Sequence, residues 1–481
     1  MAGIGFELKK LLHKKSALGY LEACSYTAIV TIGPFILMIS MVLFIQAMLR
    51  SIPGSYLIEQ LFLASVIYPL LFSQIVSSGF AMLITRFVAD KLYNREYDSV
   101  LPSLYGVTAL VLIAASIPAI LFLWNAPLQF SLKIATYVLY MELSIIWIQG
   151  VYLTALKDYV KIIQAYAAGV VTAAALAYAA AKTLSVELGL GLVAAVDIGM
   201  FLVMTMLMLN IMKFFPATNN RHFSFLEYFE RHLSLFFINL FYYLSLYCPV
   251  FFIWNSHLAV KVADTYVLAP VYDVATFYAF LSIMPMIIVF VISTEINFYD
   301  KYAAYFKLIT GKGNYREIED AKREMLQVLW SEIRNLMEVQ LVVTFVFLAL
   351  GNYLLPRVGL TYASINIYNV LVLGAYLAGM TQFILIIMLY FEDRRGALGI
   401  AAFFLTANSA FNYISLLAGE NTYGFGLFSA AFLTLAAAML RLVYYTNRID
   451  YFVFCSQPIF HKEQQGILTK LVARLYRTKE V

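Results

Sequence analysis

The sequence predicts an all-α polytopic membrane protein, with twelve transmembrane helices in two six-helix lobes. Three observations predict it. Of 481 residues, 62% are apolar and only 13% charged, and a soluble fold of this length has no interior large enough to hide that much apolar surface. Twelve unbroken apolar runs approach the ~20 residues a helix needs to cross hydrocarbon. Of the 33 Lys and Arg residues, 28 fall on one set of alternating loops and 5 on the other, the bias that orients helical membrane proteins.

The runs cover 23–49, 57–85, 101–124, 133–156, 162–181, 188–212, 233–254, 272–294, 338–356, 366–390, 397–418 and 424–445. They lack the alternation of barrel strands. The first is too long, and lacks the small-residue cleavage site, for a removed signal peptide. The sparse side holds Arg50, Lys133, Lys182, Lys261 and Arg357. Both termini are therefore expected in the cytoplasm.

This gives a cytoplasmic segment 1–22, a six-helix lobe 23–212, a linker 213–231, a second lobe 232–446 with a cytoplasmic loop 296–337, and a tail 447–481. Two short stretches are amphipathic. Ile4, Leu8, Leu11 and Leu12 share a face apart from Lys9, Lys10, Lys14 and Lys15; Ile467, Leu468, Leu471, Val472 and Leu475 do so beside Lys470, Arg474 and Arg477. Such stretches lie on anionic lipid or dock on protein. The 296–337 loop carries a dense run of mixed charge and reads as a solvated helix or docking surface. Pro34, Pro69, Pro249 and Pro285 fall inside spans, in similar places in the two halves, and mark helix bends. In span 5, Ala165, Gly169, Ala173, Ala177 and Ala181 form a stripe that lets backbones approach closely.

The composition excludes several classes. Three dispersed cysteines make no disulfide scaffold. A net charge of +5, explained by sidedness, gives no footprint for nucleic acid. There is no Walker A loop. Gly189-Leu190-Gly191-Leu192-Val193-Ala194 opens an apolar span with no strand before it, so it is no dinucleotide site. The five histidines lack metal-binding spacing. No catalytic residue, cofactor or metal site emerges, and the chain does not read as an enzyme.

Ionisable groups at membrane depth are costly and usually functional. Glu142 and Asp197 each sit about ten residues into a span, and Glu142, Gln149 and Tyr152 share one helical face; these four are candidate pathway residues. Arg86 and Asp90, spaced i to i+4, and Glu295 lie at the cytoplasmic ends of spans 2 and 8 as a candidate gate or ion pair. Asp273 and Glu420 read as solvated outer rim. Span 7 is aromatic throughout its depth, and Tyr242, Tyr243 and Tyr247 join the candidate pathway. Aromatic faces stack on sugar rings, and the same pattern also serves helix packing.

The chain opens Met1-Ala2-Gly3-Ile4-Gly5-Phe6-Glu7-Leu8, carries Gly33-Pro34 in span 1, continues Thr85-Arg86-Phe87-Val88-Ala89-Asp90-Lys91-Leu92-Tyr93, and closes Phe454-Cys455-Ser456-Gln457-Pro458. Over essentially its whole length it resembles the PelG family of Pel exopolysaccharide exporters, inner-membrane proteins of the MOP flippase superfamily. Phe35 stands where that family often has Trp. The resemblance implies a MOP/MATE-like carrier in the bacterial cytoplasmic membrane. Its cargo would be a polymer rich in N-acetylgalactosamine. Its partners would be membrane lipid, a cytoplasmic glycosyltransferase, and PelD-like and PelE-like membrane proteins. Other readings stay open: a cation-coupled small-molecule antiporter, a lipid-linked oligosaccharide flippase, or a non-transporting scaffold for the synthase. A flippase for a pyrophosphate lipid needs basic residues at mid-depth, and these are nearly absent.

Overall fold

The computed structural model describes residues 17–154, 159–183, 187–215, 220–311, 313–455 and 466–477. The basic amphipathic stretch before residue 17 lies outside them. Within them, twelve helices are long and apolar enough to cross a membrane, each on one predicted run. Lipid offers the backbone no hydrogen-bond partner, so each span closes its own N–H and C=O groups as a helix.

In chain order these are α1 (Ala17–Arg50), α2 (Tyr56–Tyr93), α3 (Val100–Trp124), α4 (Phe130–Thr154), α5 (Tyr159–Thr183) and α6 (Leu188–Phe214). A short linker helix α7 (Phe225–Arg231) precedes α8 (Leu233–Ile253). A hairpin of β1 (Val260–Val262) and β2 (Tyr266–Leu268) follows, antiparallel with Val260 opposite Leu268. Its two central residues, Ala263 and Asp264, both have positive φ, as a tight hairpin turn requires.

The eighth span is broken. It consists of α9 (Pro270–Leu281) and α10 (Met284–Ile292), then a π-helical stretch Ser293–Phe298. Pro285 stands in the first turn of α10, where its missing N–H costs nothing. Pro34, Pro69 and Pro249 lie inside continuous helices. α11 (Tyr299–Thr310) leads to the 40-residue α12 (Tyr315–Leu354). The predicted ninth span began at 338; the helix starts 23 residues earlier, where Asn314 and Glu317 form a reciprocal capping box. The mixed-charge loop is thus largely helix. α13 (Tyr362–Tyr390), α14 (Arg394–Ala418), α15 (Phe425–Asn447) and the tail helix α16 (Ile467–Arg477) complete the chain.

The described residues form two compact units, one drawn from 33–247, 259–268 and 466–477, the other from 17–32, 248–258 and 269–455. They draw on interleaved stretches rather than uninterrupted halves. The crossings inside α1 and α8 fall at Gly33-Pro34 and Cys248-Pro249, where proline removes a helical hydrogen bond.

In the first unit, α2, α4 and α6 pack around Phe62, Leu83, Phe87, Leu139, Leu192 and Met200. The small-residue stripe of α5 lies against α6, with Ala165, Ala173 and Ala177 fully buried. A Cβ on Gly199 would stand 2.6 Å from the Gly169 carbonyl oxygen and 2.7 Å from the Ala173 Cβ. The hairpin is pinned to α2: the Tyr68 hydroxyl donates to the Val267 carbonyl and accepts from the Val267 N–H, both at 2.9 Å. In the second unit, Asp393 caps α14 through the Gly396 N–H and takes two hydrogen bonds from Arg441, at 2.7 and 2.8 Å. This bidentate pair fixes the α13–α14 turn, where Glu392 holds positive φ.

Gly199→Val is expected to destabilise the first unit by about 1–3 kcal/mol, because the added methyls have no space against α5. Denaturant unfolding in detergent, with exposed Gly399→Val in α14 as control, checks this.

Candidate transport site

The first unit holds a line of buried polar groups between α4 and α6. Both helices start on the same side of the membrane by the loop alternation, so they run parallel. Glu142 is buried and leaves Oε2 without a partner; Asp197 leaves Oδ1 without one. The two acids lie within electrostatic reach of each other. One rung further, seven residues on in each helix, the Gln149 amide donates to the Met204 carbonyl at 3.2 Å and leaves Oε1 unpaired. Two carboxylates within electrostatic reach in apolar surroundings need a counter-charge, either a proton or a small cation. Tyr152 belongs to the apolar core: it is fully buried, and its hydroxyl meets Ser103 at 2.9 Å.

A second polar seam joins α2 to the first half of α8. The Tyr247 hydroxyl donates to Gln74 Oε1, and the Asn239 amide donates to the Ser78 carbonyl at 2.6 Å. Phe236 lies over Gly79, which has no Cβ to displace it, and meets Phe80 edge-on at 5.2 Å. Tyr242 is buried, its ring edge-on to the half-buried Tyr243 at 5.9 Å. Asn239, Tyr243 and Tyr247 follow each other at four-residue steps, so they share one face.

An apolar cavity of about 300 Å³ lies between α2, α3, α4 and the hairpin, lined by Tyr68, Phe72, Phe122, Tyr137 and Tyr266 among others. The hydroxyls of Tyr68, Tyr137 and Tyr266 are spent on Val267, Ser116 and Thr136. The cavity therefore presents ring faces and hydrocarbon.

In the second unit, the break in the eighth span leaves the Ser282 carbonyl without its helical donor. The Gln340 side chain of α12, fully buried, supplies that hydrogen bond at 2.8 Å, and its own Oε1 stays unpaired. Broken helices with polar groups at the break are where transporters bind ions and substrates. Sequence reasoning missed Gln340. Its one available signal was an amide in an otherwise apolar stretch, and its partner lies 58 residues away.

Asp273 is not the solvated rim expected of it. One carboxylate oxygen accepts the Ala269 N–H at 2.8 Å and, at a long 3.5 Å, the Trp254 indole. The other is buried and unpaired. Glu420 does stand at the exposed rim, 3.1 Å from His257. Arg86 pairs with Asp90 at 3.2 Å on its own helix, half-exposed. The Glu295 side chain lies outside the described residues. Among those residues, no cluster of three His, Cys, Asp or Glu side chains is placed to hold a metal ion.

Twelve spans, with buried acids and a broken helix, define a multi-pass helical membrane protein. Solved structures share this fold. An outward-facing multidrug-resistance MATE transporter of the MOP superfamily matches with a TM-score of 0.57 at 16% identity, over 89% of this chain and 97% of that one. A Vibrio cholerae MATE transporter matches with a TM-score of 0.56 at 10% identity, over 92% and 98%. A Pyrococcus furiosus MOP transporter matches with a TM-score of 0.51 at 18% identity, over 89% and 96%. No curated protein sequence matches the chain. The PelG family of exopolysaccharide exporters (EPS-E) matches residues 1–454. The chain belongs to that family.

Two outcomes are expected at the polar sites. Glu142→Gln with Asp197→Asn should cut polymer secretion at least tenfold with surface expression unchanged; secretion at the wild-type level removes both acids from the pathway. Gln340→Leu should cost about 1–3 kcal/mol by leaving the Ser282 carbonyl unpaired, read as a lower midpoint in thermal aggregation, and Gln340→Met should not restore it because a thioether offers no donor.

Proposed function

We propose that this protein carries a Pel-type, N-acetylgalactosamine-rich polysaccharide across the bacterial cytoplasmic membrane, as the transport subunit of a synthase complex with both termini in the cytoplasm. The observation that carries the reading is family membership over residues 1–454. The site chemistry supports it. Basic side chains stand at the ends of the spans rather than at mid-depth, which suits a near-neutral polymer and not a pyrophosphate lipid. The α2–α8 seam offers what a sugar chain uses: ring faces from Tyr243 and Tyr247, and amides from Asn239 and Gln74. Stacking holds a sugar without fixing its register, so a polymer slides. Amides exchange hydrogen bonds with successive hydroxyls at little cost.

A second element of the reading concerns energy. The unpaired oxygens of Glu142 and Asp197 favour coupling to a proton or small cation, whether the cargo is polymer or, in the antiporter alternative, a small molecule. The partner surface would be the extension of α12. Tyr315, Arg316, Asp320, Arg323, Glu324 and Gln327 are exposed along it, and Lys322, which bonds Asp450 at 2.8 Å, ties it to the segment after α15. A cytoplasmic glycosyltransferase, with PelD-like and PelE-like proteins, would dock there.

Inverted vesicles carrying the chain with its synthase, supplied with UDP-N-acetylgalactosamine, test the reading. Polymer should enter the vesicle lumen only when this chain is present, and collapse of the proton gradient should slow entry. Polymer that forms only when the chain is present but stays outside the vesicles makes the protein a scaffold.

A further inference from the structure

The tail helix α16 is two-faced: one face packs on the linker helix α7 and the other is exposed. The Glu230 carboxylate accepts the Thr469 N–H at 3.0 Å and the Thr469 hydroxyl at 2.7 Å. The N–H groups of Ile467 and Leu468 also point at it, and together these bonds hold it below the usual carboxylate range. A side chain from one segment thus caps the first turn of another, where the helix dipole favours an anion. A Cβ on Gly466 would overlap the carboxylate, so a larger residue there would have to displace the Glu230 side chain. At the other end the Tyr476 hydroxyl accepts the Phe223 N–H at 2.8 Å, and Arg221 lies over the Tyr476 ring. Val472 is buried between these anchors, 4% exposed.

The opposite face is exposed. Ile467, Leu471 and Leu475 repeat every four residues and are 81%, 45% and 46% exposed. Lys470 and Arg474, both exposed, flank the stripe on one side. Residues 467–477 contain three cations and no carboxylate. An apolar stripe edged by cations matches an anionic bilayer surface, in which leucines enter the acyl boundary and basic groups meet headgroups. The helix begins twenty residues after α15 ends at Asn447, so that surface is always within reach.

We infer that α16 is a lipid-dependent strap: it holds the linker between the two halves by the Glu230 face, and an anionic membrane surface by the Ile467–Leu471–Leu475 face. The inference rests on membrane insertion and not on which polymer is carried.

The test uses the full chain in vesicles of phosphatidylcholine, with and without phosphatidylglycerol. A spin label is placed at Leu471→Cys in a background free of Cys24, Cys248 and Cys455. In the anionic vesicles the label should be open to oxygen and shielded from an aqueous nickel chelate. Nickel access should rise about twenty-five-fold in phosphatidylcholine alone, or with Lys470→Gln and Arg474→Gln, since each basic residue near the surface contributes on the order of fivefold. Glu230→Gln should speed trypsin cleavage after Lys470 in neutral vesicles but little in anionic ones, where the second anchor remains. A label open to nickel equally in both vesicles overturns the proposal. So does one shielded from both oxygen and nickel, which would mean the stripe is seated on protein.

Discussion

Lipid supplies no hydrogen bonds, and everything else in this molecule follows from how the chain copes with that. Along most of its length the answer is an unbroken helix. Where proline or a bend opens the ladder, a side chain must step in. At the eighth span Gln340 reaches across from α12 to the Ser282 carbonyl. Within helices, hydroxyls such as Thr31, Thr344 and Thr434 fold back onto carbonyls of the preceding turn, so they cost nothing in hydrocarbon. The buried polar atoms that remain unpaired stand out against this economy, and those of Glu142, Asp197 and Gln149 lie on one helix pair.

Close approach is the second constraint. Helices in lipid gain little from the hydrophobic effect and associate through contact and small residues. Gly169 and Gly199 set α5 against α6, and Gly79 admits the Phe236 ring. Such packing fixes the register between helices. The α4–α6 register brings Glu142 within reach of Asp197 and sets Gln149 beside Met204.

Charge is managed at the edges. Asp393 with Arg441, Lys322 with Glu319 and Asp450, and Arg86 with Asp90 all stand at span ends. There water and headgroups offset the desolvation that an ion pair in hydrocarbon would suffer. Glu230 caps α16 from 239 residues away in the chain, and this turns the tail from a free amphipathic helix into part of the linker.

The sequence alone determined the number of spans and the family resemblance, because length in hydrocarbon is a property of contiguous residues. It also placed Arg86 and Asp90 one helical turn apart, leaving Asp90 and Glu295 as alternative partners for Arg86, and marked the close-packing stripe of α5. Only the tertiary structure decided which residues meet across helices. It set Glu142 with Asp197, placed Tyr152 in the core, buried Asp273 at its helix start, put Gln340 at the broken span, and gave the tail helix one protein face and one open face. Hydropathy is blind to these because it averages over a helix's circumference, and function here depends on which side of each helix is turned inward.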